Sequence, residues 1–139
     1  MLKKTFTYVD YNDEKVTEEC FFNFTKAELA DMTVSTGEGL GTKIKRIIDA
    51  KDKKEIVTII QEIILKSYGE KTEDGKRFMK SEEISNRFKC SEPYSMLYME
   101  LCTNAEAAAA FIKGVLPKDI SDKIDLQAVE VPDLPVGIS

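Results

Sequence analysis

No histidine occurs among the 139 residues. That absence removes Ser-His-Asp and Cys-His catalytic machinery, and with it the common zinc sites built on imidazole. Cysteine is scarce as well. Cys20, Cys90 and Cys102 are odd in number, widely spaced and never in a C-x-x-C pattern, which argues for reduced thiols and against an extracellular disulfide framework. Each sits among apolar or aromatic neighbours, as in Cys20-Phe21-Phe22, so all three are expected in the core. Long apolar runs are missing too. The most apolar stretch, Ile56 to Leu65, is interrupted by Thr58, Gln61 and Glu62 and falls far short of the roughly 20 residues that cross a bilayer. Met1-Leu2-Lys3-Lys4 leads straight into an alternating polar pattern, without the apolar stretch of a secretory signal. An intracellular chain with no membrane role is expected. Positive charge is in the minority: 25 acids face 20 bases, a net charge of −5. A phosphate-backbone binder shows the opposite sign, so no nucleic-acid role is expected.

At 15.7 kDa the chain is long enough to build one core without disulfide or metal staples. Its first part has period two. Phe6, Tyr8 and Asp10 alternate with Thr5, Thr7 and Val9, and Val16, Glu18, Cys20, Phe22 and Phe24 form a second such run. Tyr11-Asn12-Asp13-Glu14 lies between them, with Asn and Asp able to enter left-handed backbone conformations. The pattern predicts an antiparallel hairpin over about residues 4–24. Such a hairpin is marginal alone and must dock on the remaining chain.

After Phe24 the pattern is helical over about residues 26–116. Thr25-Lys26-Ala27-Glu28 fits a capping box, in which the threonine oxygen takes an orphan amide and the glutamate reaches back. Asp52 with Glu55 and Thr103 with Glu106 repeat that spacing; Ser81 and Ser91 mark weaker starts. Ile56, Ile59, Ile60, Ile63 and Ile64 form a wide stripe on a helix from Lys53 to Tyr68, which is expected to be core, with Gly69 as its stop. Leu40, Ile44, Ile47 and Ile48 line a helix over about Leu40 to Ala50, and Ala105 to Val115 reads as another. Pro117, Pro132 and Pro135 punctuate the end, where residues 118–139 read as an acidic flexible C-terminal tail. The fold class expected is therefore α+β: a mostly α-helical single domain over residues 1–117, with the N-terminal antiparallel β-hairpin packed on about five helices.

No constellation gathers into a catalytic site. Gly69 to Lys76 resembles a phosphate loop only loosely. Five residues separate its glycines, Arg77 stands where a hydroxyl is needed, a helix precedes it, and Glu70, Glu73 and Asp74 would repel phosphate. Asp10, Asn12 and Glu14 lack the glycine and closing glutamate of a calcium loop. Lys43-Ile44-Lys45-Arg46 is a short basic cluster, read as a solvent face, with docking of an acidic partner left open. No enzyme, cofactor or metal is expected. The candidate partner-binding residues are Tyr94, Met96, Leu97, Tyr98, Met99 and Leu101, a helical stripe in which methionine adapts to varied partners and tyrosine tolerates partial exposure. The competing reading of that stripe is plain core.

Several strings carry a resemblance. Ile63-Ile64-Leu65-Lys66-Ser67-Tyr68-Gly69-Glu70-Lys71 continuing through Asp74-Gly75-Lys76-Arg77-Phe78, Tyr94 to Leu101, Asn104 to Gly114, and Phe22 to Leu29 together cover most of residues 5 to 118. They resemble the tail assembly chaperones of long-tailed bacteriophages, encoded between the major tail protein and the tape-measure protein. The resemblance implies a non-enzymatic role in the host cytoplasm, with absence from the mature virion. It implies binding to the tape-measure protein and recruitment of the major tail protein, as a homo-oligomer or as multiple copies along the client. Many such chaperones are made in two lengths, and this chain would match the shorter. Two alternatives stand beside that reading: a structural tail or head–tail connector protein, and a small regulatory protein.

Overall fold

The computed structural model describes residues 1–121. The alternating segments form β1 (Leu2–Val9) and β2 (Lys15–Phe22), antiparallel with Leu2 opposite Phe22 and Val9 opposite Lys15. The connecting turn is built by Asp10, whose carboxylate accepts the amides of Asn12 and Glu14 at 2.8 and 3.0 Å, while Asp13 takes the left-handed conformation at φ 62°. Period two then sorts the side chains. Phe6, Cys20 and Phe22 are buried, whereas the other face carries a Thr7–Thr17 hydroxyl pair at 3.0 Å and a Lys3–Glu19 ion pair.

The hairpin is half of a larger sheet. β3 (Tyr68–Lys71) pairs antiparallel with β2, placing Gly69 opposite Phe21 and Tyr68 opposite Phe22, and β4 (Phe78–Met79) pairs with β3. The strand order is β1-β2-β3-β4. Gly69 is thus not a helix stop. Its φ lies outside the left-handed region, and a Cβ there would stand 2.6 Å from the Phe78 ring and 2.9 Å from the Met79 carbonyl oxygen. The residue is glycine because two strands and a ring converge on its α-carbon.

Among the described residues seven helices accompany the sheet, where about five were expected: α1 (Lys26–Thr36), α2 (Leu40–Ala50), α3 (Lys53–Ser67), α4 (Glu82–Lys89), α5 (Glu92–Thr103), α6 (Ala105–Val115) and the single turn α7 (Lys118–Ser121). The helical region therefore runs past residue 117, and the expected tail lies outside the described residues from residue 122 onward. Thr25 and Glu28 form the reciprocal capping box at 3.1 and 2.9 Å. Asp52, Ser81 and Ser91 each cap the following helix. At α6 the cap is Asn104, not Thr103; its side chain accepts the Ala107 amide at 3.0 Å, and Thr103 remains the last residue of α5.

α3 is the axis of the core. All five stripe isoleucines are at most 3% exposed, and the helix packs against α2, α4, α5 and α6. Phe22 joins sheet to helices by edge contacts to Tyr68, Phe88 and Phe111 at centroid distances of 5.6, 5.7 and 5.2 Å, a geometry that matches ring edge to ring face. Two backbone bonds fasten the segment after β2: Asn23 donates to Ser67 and Phe24 to Val115, both at 2.8 Å. Lys80 closes the seam, donating to the Asn23 carbonyl and to Glu28, each at 2.6 Å.

Candidate docking surface

α5 begins where Ser91 accepts the Tyr94 amide at 3.4 Å and Pro93 fills the first turn, a position where its missing N–H is no loss. Helical periodicity then splits the six stripe residues into two sets. Tyr94, Leu97 and Leu101, spaced i, i+3, i+7, face the core at 9%, 0% and 2% exposure. Met96 and Met99 face outward with 36% and 37% of their surface open. Tyr98 is half-buried between the sets, tilted against Tyr94 with 6.1 Å between centroids. Glu100 anchors the helix to the sheet through an ion pair with Lys4 at 3.0 Å. The inner set therefore holds α5 in place, and the outer set gives it an apolar margin.

The remaining sequence candidates resolve into structural elements. The Gly69–Lys76 segment is the tip of the β3–β4 hairpin. Asp74 accepts the Thr72 hydroxyl at 2.6 Å and the Lys76 amide at 3.0 Å, using the donors that a phosphate would need. These bonds hold the Asp74 carboxyl below its ordinary range. The Asp10–Glu14 segment is the β1–β2 turn described above. Burial pushes the Cys20 thiol up to about 12 and the Cys102 thiol to about 11, so both stay protonated and unreactive at neutral pH. Cys90 departs from the expectation of a buried cysteine: it terminates α4 and is exposed, because the helix ends with its apolar face turned inward through Phe88. Among the described residues no cluster of three or more metal-ligating side chains forms, and no helix is long and apolar enough to cross a membrane.

A cleft of about 160 Å³ opens between α1, α2 and α3 beside Met32, Leu40, Lys43 and Glu62. Burial would raise the Glu62 pKa, but Lys66 at 2.7 Å and Lys43 at 3.6 Å more than offset this and hold it below the usual carboxylate range. Glu38 is lowered in the same way by Arg46 at 2.7 Å. These ion pairs join α2 to α3 and fasten the α1–α2 connection to α2. Sequence reasoning missed the apolar residues that turns expose, notably Tyr11 at 87% and Val9 at 60%; their position beside Asn12-Asp13 was the available signal.

What the fold presents is buried packing, ion pairs among part of its charged residues and a few open apolar side chains. Comparison with known proteins gives this arrangement its family. The sequence model of a family described as phage tail assembly chaperone matches residues 1–136. The chain belongs to the phage tail assembly chaperones. No curated protein and no solved structure matches it. Membership covers the sheet, all seven helices and most of the residues beyond them. For a tail assembly chaperone, a surface for phage tail proteins is the functional feature to seek.

Proposed function

We propose that this tail assembly chaperone binds the tape-measure protein in the host cytoplasm, keeps it soluble and recruits the major tail protein, without entering the mature virion. The observation that carries the reading is the division of α5. Met96 and Met99 stand open on a helix whose other side is fixed by Leu97 at 0% exposure and Leu101 at 2%. Such a helix offers adaptable apolar contacts from a rigid support, suited to an amphipathic helical client met at successive i, i+3, i+4 anchors. Tyr98 sits at the margin of that contact, and Tyr94, Leu97 and Leu101 position it from within. The open area is small, as befits a contact that must later be released. The net charge of −5 adds solubility to a bound client.

Co-expression with the tape-measure protein tests the reading. The client is expected in the soluble fraction with the wild-type chain, and in the pellet with a Met96→Ser, Met99→Ser variant that keeps its circular dichroism and unfolding midpoint. A tape-measure protein that stays insoluble with and without the chain overturns the proposal. One observation favours the structural alternative: among the described residues β1 pairs only with β2, leaving an open sheet edge. Stoichiometric presence of the chain in purified particles would support that alternative in place of the chaperone.

A further inference from the structure

The charge of this chain is segregated. Residues 43–54, the second half of α2 and the first turn of α3, carry six bases against two acids, a formal +4 on a chain of net −5. Residues 122–139 carry four acids, Asp122, Asp125, Glu130 and Asp133, against the single base Lys123, a formal −3. Ile124, Leu126, Val129, Val131 and Leu134 are interspersed among those acids.

The basic corner is open. Lys45, Arg46, Lys51, Lys53 and Lys54 are exposed. Glu38 engages Arg46 and Glu62 engages Lys43, while the Asp52 carboxylate is taken up with the Glu55 amide. Among the described residues Lys45, Lys51 and Lys54 form no ion pair. Ile48 and Val57 lie partly buried on the same two helices. The cleft beside Met32, Leu40, Lys43 and Lys66 opens along these helices as well, towards the other end of α3.

The fold sets the distances. The Asn23 amide donates to the Ser67 carbonyl at 2.8 Å, so the last residue of α3 lies beside the start of α1. Asp119 of α7 pairs with Lys26, the first residue of α1, at 3.0 Å. Residue 122 therefore follows on from the C-terminal end of α3, and the basic corner stands at its N-terminal end. The 15 residues of α3 separate the two by about 22 Å at a rise of about 1.5 Å per residue. About seven extended residues cover that span, and Glu130 and Asp133 both lie farther than that from Ser121. The cleft is on the way, since Glu62 and Lys66 of its lining belong to the last turns of α3.

We propose that the occupant of the cleft and the basic corner is residues 122–139 of the same chain, with Glu130 and Asp133 at Lys45, Lys51 and Lys54. Opposite formal charge, with apolar residues among the charges on both sides, is the complementarity. A short tether holds the segment at an effective concentration on the order of millimolar, so it takes the corner ahead of free anions of like charge. Nucleic acid, in addition, meets a chain of net −5. An acidic segment of a partner protein gains the corner only by displacing the chain's own. The contact stands independently of the α5 margin and of any client.

Paramagnetic broadening in the full-length chain tests it. A spin label is placed at position 137 of a Gly137→Cys, Cys90→Ser chain, where Cys20 and Cys102 are buried and stay unlabelled. The amide signals of Lys45, Lys51 and Lys54 should weaken at least about twofold at about 0.02 M salt and recover at about 0.5 M, where screening lengths differ several-fold. Those of Asn12 and Asp13, on the first hairpin, should not change. A corner variant, Lys45→Glu, Lys51→Asn and Lys54→Glu, keeps a residue at position 51 that tolerates the left-handed φ of 53°; it should abolish the broadening. Adding Glu130→Lys and Asp133→Lys to that variant should restore it. Corner signals untouched by the label at low salt overturn the proposal, whether a nucleic acid, a partner protein or nothing at all takes the corner. So does broadening that survives the corner variant. Broadening that appears when labelled chain without nitrogen-15 is mixed with unlabelled nitrogen-15 chain overturns it too, because the segment then acts on another molecule.

Discussion

Replacing Gly69 by alanine should destabilise the domain through a collision, not through backbone strain. The added Cβ would lie 2.6 and 2.8 Å from Cε2 and Cζ of Phe78 and 2.9 Å from the Met79 carbonyl oxygen. Phe78 is only partly buried, so its ring has room to swing. The Met79 carbonyl has none, since Met79 is held in the ladder opposite Glu70. Relief requires β3 and β4 to separate by several tenths of an ångström, an overpacking penalty of about 1–3 kcal/mol. At this chain length that corresponds to a fall in Tm of about 4 °C per kcal/mol. Urea unfolding with an unchanged slope is the assay. A double-mutant cycle with Phe78→Ala separates the ring from the carbonyl: the two changes should couple by about 0.5–1.5 kcal/mol, with the carbonyl's share remaining. A Gly69→Ala protein within about 0.5 kcal/mol of wild type, or one with no coupling to Phe78, would refute the reasoning.

Two further outcomes follow from the packing. Leu97→Ala should cost about 2–5 kcal/mol, because the side chain is fully buried and α5 cannot collapse onto the space; Met99→Ala should change the urea midpoint by less than about 1 kcal/mol, and equal losses at both positions would contradict the two-sided description of the helix. The thiols should also divide: Cys90 reacts with a thiol reagent in the native state, whereas Cys20 and Cys102 react only on unfolding. Their pKa values are raised by burial from 9.0 to about 12 and about 11, so above pH 9 the unfolded chain loses protons that the folded one keeps, and stability should decline from pH 9 towards pH 11–12. A flat stability profile over that range would remove the burial explanation.

Local rules read the helices well because each start is a side chain acting on its own amides. Thr25, Asp52, Ser81 and Ser91 cap as their spacing predicts. The cap of α6 shifted by one because Thr103 and Asn104 both suit the role, and tertiary packing lets the preceding helix claim the threonine. The hairpin was legible from its alternation and its Asn-Asp turn. β3 and β4 were not, since four and two residues are too short to show a period, and Tyr68-Gly69-Glu70-Lys71 pairs with β2 only through contacts distant in sequence. The α5 stripe was visible as apolar periodicity, but its division into core and margin depends on which neighbours cover it. Cys90 departs from the core for a related reason: it is flanked by Lys89 and Ser91, and the one nearby aromatic, Phe88, does not say on which side of the helix end a residue two positions on falls.

The backbone bond from Phe24 to Val115 also sets a timetable. The first hairpin leaves the ribosome long before its seat exists. At roughly 5–20 residues per second, the wait between making Phe24 and making Val115 is on the order of 5–20 s. Throughout that interval Phe22 and Phe24, which end at 0% and 2% exposure, have no finished core to enter. A chain halted before residue 115 leaves Phe22 and Phe24 uncovered, so completion of the nascent domain is gated by the synthesis of α6.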